Sequence, residues 1–142
     1  DLQESGKLPT WDEVDGLMAT DSVAAEKKAE IIRNFVKYHI QDNAVFADKN
    51  TLNGNFETAV LNNALKVFYS IDVKSGNNAI TLPDKVGNVR HVTSDPNLRN
   101  LIAREYQFDA ADVSRATKIF SSANIVIHQI DGALQYDAKQ FK

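Results

Sequence analysis

Near residue 40 the hydrophobic period of this chain changes from 3.6 to 2, and most of the remaining sequence reads as strand. Before the change, Ala25, Ala29, Ile32, Val36 and Ile40 recur at three- and four-residue steps, with Ile31 and Phe35 widening the stripe. Glu26, Lys27, Glu30, Arg33 and Lys37 fill the opposite face, so this is an amphipathic helix that packs one side on a core. Asp21 or Ser22 caps its start. Upstream, Thr10 followed by Glu13 is a capping-box pattern after Pro9 and predicts a short helix from Trp11 to Leu17.

Beyond the change, Leu65, Val67, Tyr69, Ile71 and Val73 alternate with Lys66, Phe68, Ser70, Asp72 and Lys74, the pattern of a half-buried strand. Ser75-Gly76-Asn77-Asn78 turns the chain into Ala79 to Leu82, and Asp84 to Asn88, with Gly87, leads into Val89 to Thr93. These three strands are expected to form an antiparallel meander. Ala44 to Ala47 is a further short strand candidate and Asn53-Gly54 a turn signal, while Phe56 to Ala64 is open between strand and helical turn. After Asp95-Pro96-Asn97 the stretch to Phe108 is open between helix and strand, read as a short helical start or loop and then a strand around Arg104 to Phe108. Asp109 to Val113 reads as a connection, Thr117 to Phe120 as a strand and Ser121-Ser122 as a turn. The strongest apolar run, Ile125 to Ile130, is expected to be a strand covered on both faces and closed by Asp131-Gly132. Helices first and strands later give a single α+β domain, with N-terminal helices packed on an antiparallel or mixed sheet.

Composition narrows the function. Nineteen acidic against sixteen basic residues, with no basic stripe, argue against a nucleic-acid or anionic-membrane footprint, leaving proteins, glycans or small molecules as partners. The absence of Cys excludes disulfides, thiolate catalysis and Cys-based metal sites. No apolar run approaches the roughly 18 residues of a transmembrane segment. Nucleophile elbows, phosphate loops, dinucleotide fingerprints and paired helical histidines are all missing from the sequence, so neither catalytic residues nor a cofactor or metal are expected. There is no Asn-x-Ser/Thr acceptor. The sequence starts at Asp1 and its single Met is Met18, which reads as a processed or engineered start, with any signal peptide or lipid anchor lying upstream.

His39 and His128 are the obvious candidates for metal ligation or acid/base chemistry. Each lies in an apolar context with no third ligand in view, which favours imidazoles hydrogen-bonded through both nitrogens. His91, on the meander with Val89 and Thr93, reads as a rim residue. Tyr38 is expected to pack on the sheet, and His39 to satisfy carbonyls at the helix end, where a cation suits the dipole. Asp131 could be a carboxylate at a strand end, but a turn in which Gly132 takes a positive φ explains the pair without chemistry. Asp12, Glu13 and Asp15 fail the calcium-loop spacing and suit a helix N-terminus. Trp11 is either a staple over the core or an exposed stacking platform for a sugar.

Two segments about ninety residues apart carry a family resemblance: Phe35-Val36-Lys37-Tyr38-His39-Ile40 and Ile125-Val126-Ile127-His128-Gln129-Ile130-Asp131-Gly132-Ala133-Leu134. Together they resemble the second half of a fasciclin-like domain, whose helix ends in Tyr-His and whose last strand reads close to V-I-H-x-I-D-G-x-L. Gly6 to Trp11 and Arg104-Glu105-Tyr106 are similar to bacterial surface versions of that family. The resemblance implies a wedge-shaped α+β sandwich and a non-enzymatic, extracytoplasmic adhesion module that binds protein or glycan at the cell surface, either outer-membrane anchored or secreted. It also implies a possible receptor contact at Tyr38-His39. Nothing in Asp1 to Leu8 resembles the family's opening strand, T-V-F-A-P-T-N-x-A-F, so residues 1–142 are expected to be a partial domain that self-associates through an open sheet edge or takes the missing pieces from another chain. The alternatives are a small-ligand-binding protein or enzyme with a cleft near His128 and Asp131, and a structural subunit of a larger surface assembly.

Overall fold

The computed structural model describes residues 2–103, 106–107, 118–119 and 125–141. Helix α1 (Trp11–Met18) starts where Thr10 accepts the Glu13 N–H at 3.2 Å. The reciprocal half of the capping box is replaced, because the Glu13 carboxylate reaches Lys28 at 2.7 Å and ties α1 to the next helix. That helix, α2 (Ser22–Tyr38), is capped by Asp21, which accepts the Ala24 N–H. Val14 of α1 packs against Ala25, Ala29 and Ile32 of α2 in a small helical core. The expected stripe does not run to its end, since Val36 and Ile40 are exposed. Tyr38 takes their place. From another face of the helix, its hydroxyl donates to the Ser70 carbonyl at 3.1 Å and its ring meets Tyr136 edge-on.

Four strands form the sheet in the order β1-β2-β3-β4, all antiparallel: β1 (Leu52–Asn62), β2 (Val67–Gly76), β3 (Ala79–Pro83) and β4 (Val89–His91). The expected meander is thus extended by β1, which makes Phe56 to Asn62 of the open stretch strand; residues 63–66 turn, with Lys66 at φ 57°, so the strand expected from Leu65 begins at Val67 instead. Asn53-Gly54 lies inside β1 instead of forming a turn. The Phe56 ring covers Gly54, where a Cβ would sit 2.8 Å from the ring tip, so the glycine makes room for an aromatic on its own strand. A register shift between Glu57 and Leu61 interrupts the β1–β2 ladder, and there Thr58 donates its hydroxyl to the Tyr69 carbonyl at 2.8 Å. The two-residue turn between β2 and β3 places Asn77 and Asn78 at φ 51° and 60°, the left-handed pair that matches strand twist.

The inner sheet face carries Val60, Ile71, Val73, Ile80 and Leu82, packed with Tyr38, Val45, Ala47 and Leu134. Ala44 to Ala47 is not a strand. Val45 and Ala47 are buried, but their backbone is held by the side chains of His128 and Asn100. Each sheet edge is partly covered by the chain itself. Ala59 N–H donates to the Ile40 carbonyl at 3.0 Å beside β1, and Asp131 N–H to the His91 carbonyl at 3.0 Å beside β4.

Two further strand pairs are antiparallel: β5 (Leu101–Ala103) with β8 (Ile125–Ile127), and β6 (Tyr106–Gln107) with β7 (Lys118–Ile119). The stretch after Asn97 therefore enters a strand earlier than expected, and it contains no helix among the described residues. The expected connection at 109–113 and the turn at 121–122 lie outside the described residues, as do the flanks of β6 and β7 at 104, 105, 108, 117 and 120. The strand β8 is shorter than expected and is not covered on both faces. Ile125 and Ile127 are 60% and 49% exposed, while Val126, His128 and Ile130 on the opposite face are half-buried, so the apolar run obeys the period-2 rule despite its composition. Among the described residues, no helix is long and apolar enough to cross a membrane.

Candidate functional site

His39 follows the last residue of α2. Its Nδ1–H donates to the Phe35 carbonyl at 2.7 Å, and its Nε2 accepts the Leu134 N–H at 3.1 Å. One nitrogen donates and the other accepts, which defines a neutral ring. The residue keeps exposed surface, yet both titrating atoms face protein. Burial therefore pushes the imidazole below its usual pKa, against the smaller opposing pull of the Phe35 carbonyl. The cation expected at this helix end is not favoured, because protonating Nε2 would set it against a backbone donor.

His128 uses the opposite tautomer. Its Nε2–H donates to the Val45 carbonyl at 2.7 Å, and its Nδ1 accepts the Asn100 N–H at 3.1 Å. Asn100, at φ 54°, accepts the Ala47 N–H at 2.8 Å and donates to the Ala47 carbonyl at 2.9 Å. This side-chain amide does for Ala47 what a neighbouring strand would do, and with His128 on the Val45 carbonyl it holds the two buried residues of 44–47 without strand pairing.

Asp131 stands apart from both. Its Oδ1 accepts the His91 N–H at 2.9 Å and its Oδ2 meets His91 Nδ1 at 3.0 Å. The His91 N–H, then the ring, hold this carboxyl below the usual aspartate range. Gly132 does not take a positive φ, which corrects the expected turn. Its small size serves Arg90 instead: a Cβ at Gly132 would lie 2.8 Å from the guanidinium, whose Nε–H donates to the Ala133 carbonyl at 2.9 Å. Trp11 is 51% exposed at the start of α1, and Tyr38, at 1%, presents no surface to a partner.

Two residues that hold this region together carry no sequence signal as such. Asp84 reads only as a turn residue, yet it is 8% exposed and its carboxylate accepts four hydrogen bonds, from the N–H groups of Val86, Asn88 and Gln135 and from the Asn88 side chain. The Asp-x-x-x-Asn spacing is visible, but Gln135 lies too far along the chain for the sequence to point to it. Asn100 is hidden for the same reason.

Between the inner sheet face, the segment from Tyr38 to Val45 and the segment from Ile125 to Ile130 lies a cavity of about 580 Å³. Ile71, Val73, Ile80 and Leu82 lie beneath it, themselves nearly fully buried in the core, and both His39 and His128 border it. Asp131 does not, so the structure does not bring His128 and Asp131 into one cleft. No group of three His, Asp or Glu side chains is placed to hold a metal among the described residues. This is an α+β chain whose candidate polar residues secure backbone. Comparison with protein-family models, with curated proteins and with solved structures finds no match.

Proposed function

We propose that this chain is a non-enzymatic interaction module of fasciclin-like type, working extracytoplasmically at a cell surface and binding protein or glycan. The observation that carries the reading is the commitment of its candidate polar groups. Both nitrogens of His39 and of His128 bond backbone, which leaves neither ring free as an acid, base or ligand, and the Asp131 carboxylate, outside their cavity, is paired with His91. The two segments that carry the resemblance also meet in space, through Leu134 N–H and His39 Nε2.

What the fold leaves unsatisfied is surface. Leu61, Leu65, Val67 and Phe68 are all exposed around the β1–β2 connection, with Leu65 70% exposed and Leu61 opposite Phe68 in register. Apolar side chains gathered at one hairpin end suit a protein contact, while exposed Trp11 suits stacking on a sugar. Beads coated with the chain should adhere to cell surfaces above bare beads. The double variant Leu65→Asp/Phe68→Asp should lose that adhesion while its Tm stays close to that of the parent. Coated beads that adhere no better than bare ones would refute the proposal.

A further inference from the structure

We infer that the open edge of β1, from Leu52 to Phe56, is an interface with a second copy of this chain, the two strands pairing antiparallel about a two-fold axis at Gly54. Leu52 turns its backbone toward β2, where the Ser75 hydroxyl accepts its N–H at 3.1 Å and donates to its carbonyl at 3.0 Å. Backbone direction alternates along a strand, so Asn53 and Asn55 aim their N–H and carbonyl groups away from β2. No described residue pairs with those groups, and both residues are exposed. The chain itself bounds the open stretch on both sides. Beyond Phe56, the Glu57 carbonyl accepts the Asp42 N–H at 3.1 Å, and Gln41 bridges to Thr58, so the edge is covered there. Before Leu52, the chain folds back to the β2–β3 turn, where the Asp48 carbonyl accepts the Asn78 N–H at 2.6 Å.

These limits choose both the occupant and the register. An open edge is usually blunted by charge, proline or a bulge. Leu52 to Phe56 has no charged residue and no Pro, and the register shift of β1 begins only after Glu57. A stretch centred on Gly54 is self-complementary under a two-fold: Asn53 of each copy faces Asn55 of the other, and the two donors and two acceptors that each copy leaves free close four hydrogen bonds. Setting Asn55 opposite Asn55 instead would drive Asn53 onto Glu57, where Asp42 already sits. The register about Gly54 brings Leu52, 43% exposed, beside Phe56 of the second copy at the closer, non-hydrogen-bonded spacing, and leaves no side chain at the axis.

So short a contact is weak, and its dimer fills at high concentration. Sedimentation velocity between about 10 μM and about 1 mM should show the mass rising toward twice the monomer's. Asn53→Lys/Asn55→Lys, at exposed positions, sets like charges opposite each other and should weaken association about tenfold or more without lowering Tm. Leu65→Asp/Phe68→Asp should leave association unchanged, which separates this edge from the exposed hairpin end. The chain has no Cys, so mixing Asn53→Cys with Asn55→Cys protein reads the register: facing Cα atoms about 5.5 Å apart suit a disulfide, and the mixed dimer should form in excess of random pairing. A parent that stays monomeric at the highest concentration, undiminished association of a folded Asn53→Lys/Asn55→Lys protein, loss of association in Leu65→Asp/Phe68→Asp, or disulfides formed at random or mainly between like variants would each overturn the inference.

Discussion

Replacing Asp84 by Asn tests whether one buried carboxylate secures the β3–β4 turn to the segment after Leu134. Oδ1 accepts the N–H groups of Val86 at 3.0 Å and Asn88 at 2.8 Å. Oδ2 accepts the Asn88 side-chain amide at 2.8 Å and the Gln135 N–H at 3.0 Å. All four partners are donors. An amide retains one accepting oxygen and brings two donors of its own, so whichever way it turns, two donors lose their partner and face another N–H. Each bond to a charged acceptor contributes about 1.5–3 kcal/mol, and a chain with little water access regains only part of that, so the net cost is about 3 kcal/mol. With an unfolding entropy of about 0.3 kcal/mol/K for a chain of this length, Tm should fall by about 10 °C. Urea denaturation followed by far-UV circular dichroism should show the midpoint displaced with an unchanged slope. Asn88→Ala, which removes only side-chain bonds, should cost about 1 kcal/mol and should not add fully to Asp84→Asn, because the two share a network. A stability change for Asp84→Asn within about 0.5 kcal/mol of zero would refute the assignment of this carboxylate as the junction.

The His39 imidazole should titrate below 6.5 by NMR. Its folded pKa lies under its unfolded one, so the unfolded chain binds the extra proton first and stability should decline as pH falls below about 6.5, a slope that His39→Gln should remove; a ring that titrates at or above 6.5 defeats this reading. Tyr38→Phe should cost about 0.5–1.5 kcal/mol in urea denaturation for the lost bond to the Ser70 carbonyl; a neutral result would mean that the hydroxyl is not the anchor. Gly132→Ala should displace the Arg90 guanidinium and lose its bond to Ala133, for about 1 kcal/mol, whereas Gly16→Ala, where a Cβ meets nothing within 4 Å, should not destabilise the chain.

The order of helices and strands was legible because it rests on local periodicity: Thr10 and Asp21 cap where their side chains suggest, and β2 alternates in burial from Ile71 to Ser75, although its first half, from Val67 to Ser70, does not. What failed were positions where a distant side chain replaces a local rule. Ala44 to Ala47 has strand composition, yet Asn100 and His128 supply the bonds a neighbouring strand would have made. Asn53-Gly54 has turn composition, yet Phe56 covers the glycine. Val36 suits the helical stripe, but the helical core ends at Ile32 and leaves Val36 exposed, while Tyr38 packs on the sheet from another face. At the candidate site, the sequence supplied the imidazoles and Asp131 but not their partners, since hydrogen bonds across forty residues or more leave no pattern in a single chain.

The two imidazole clasps also order events in time. The turn at Asn77 and Asn78 joins strands across two residues and belongs to a class of hairpins that close in about 1–10 μs. By contrast, His39 meets Leu134 across 95 residues and His128 meets Val45 across 83, and neither bond rewards the chain until a loop of that length has closed. If both clasps close with the docking of the C-terminal segment onto an assembled sheet, loosening either one should speed unfolding while leaving the refolding rate nearly untouched, and a slowed refolding rate would place the clasp earlier.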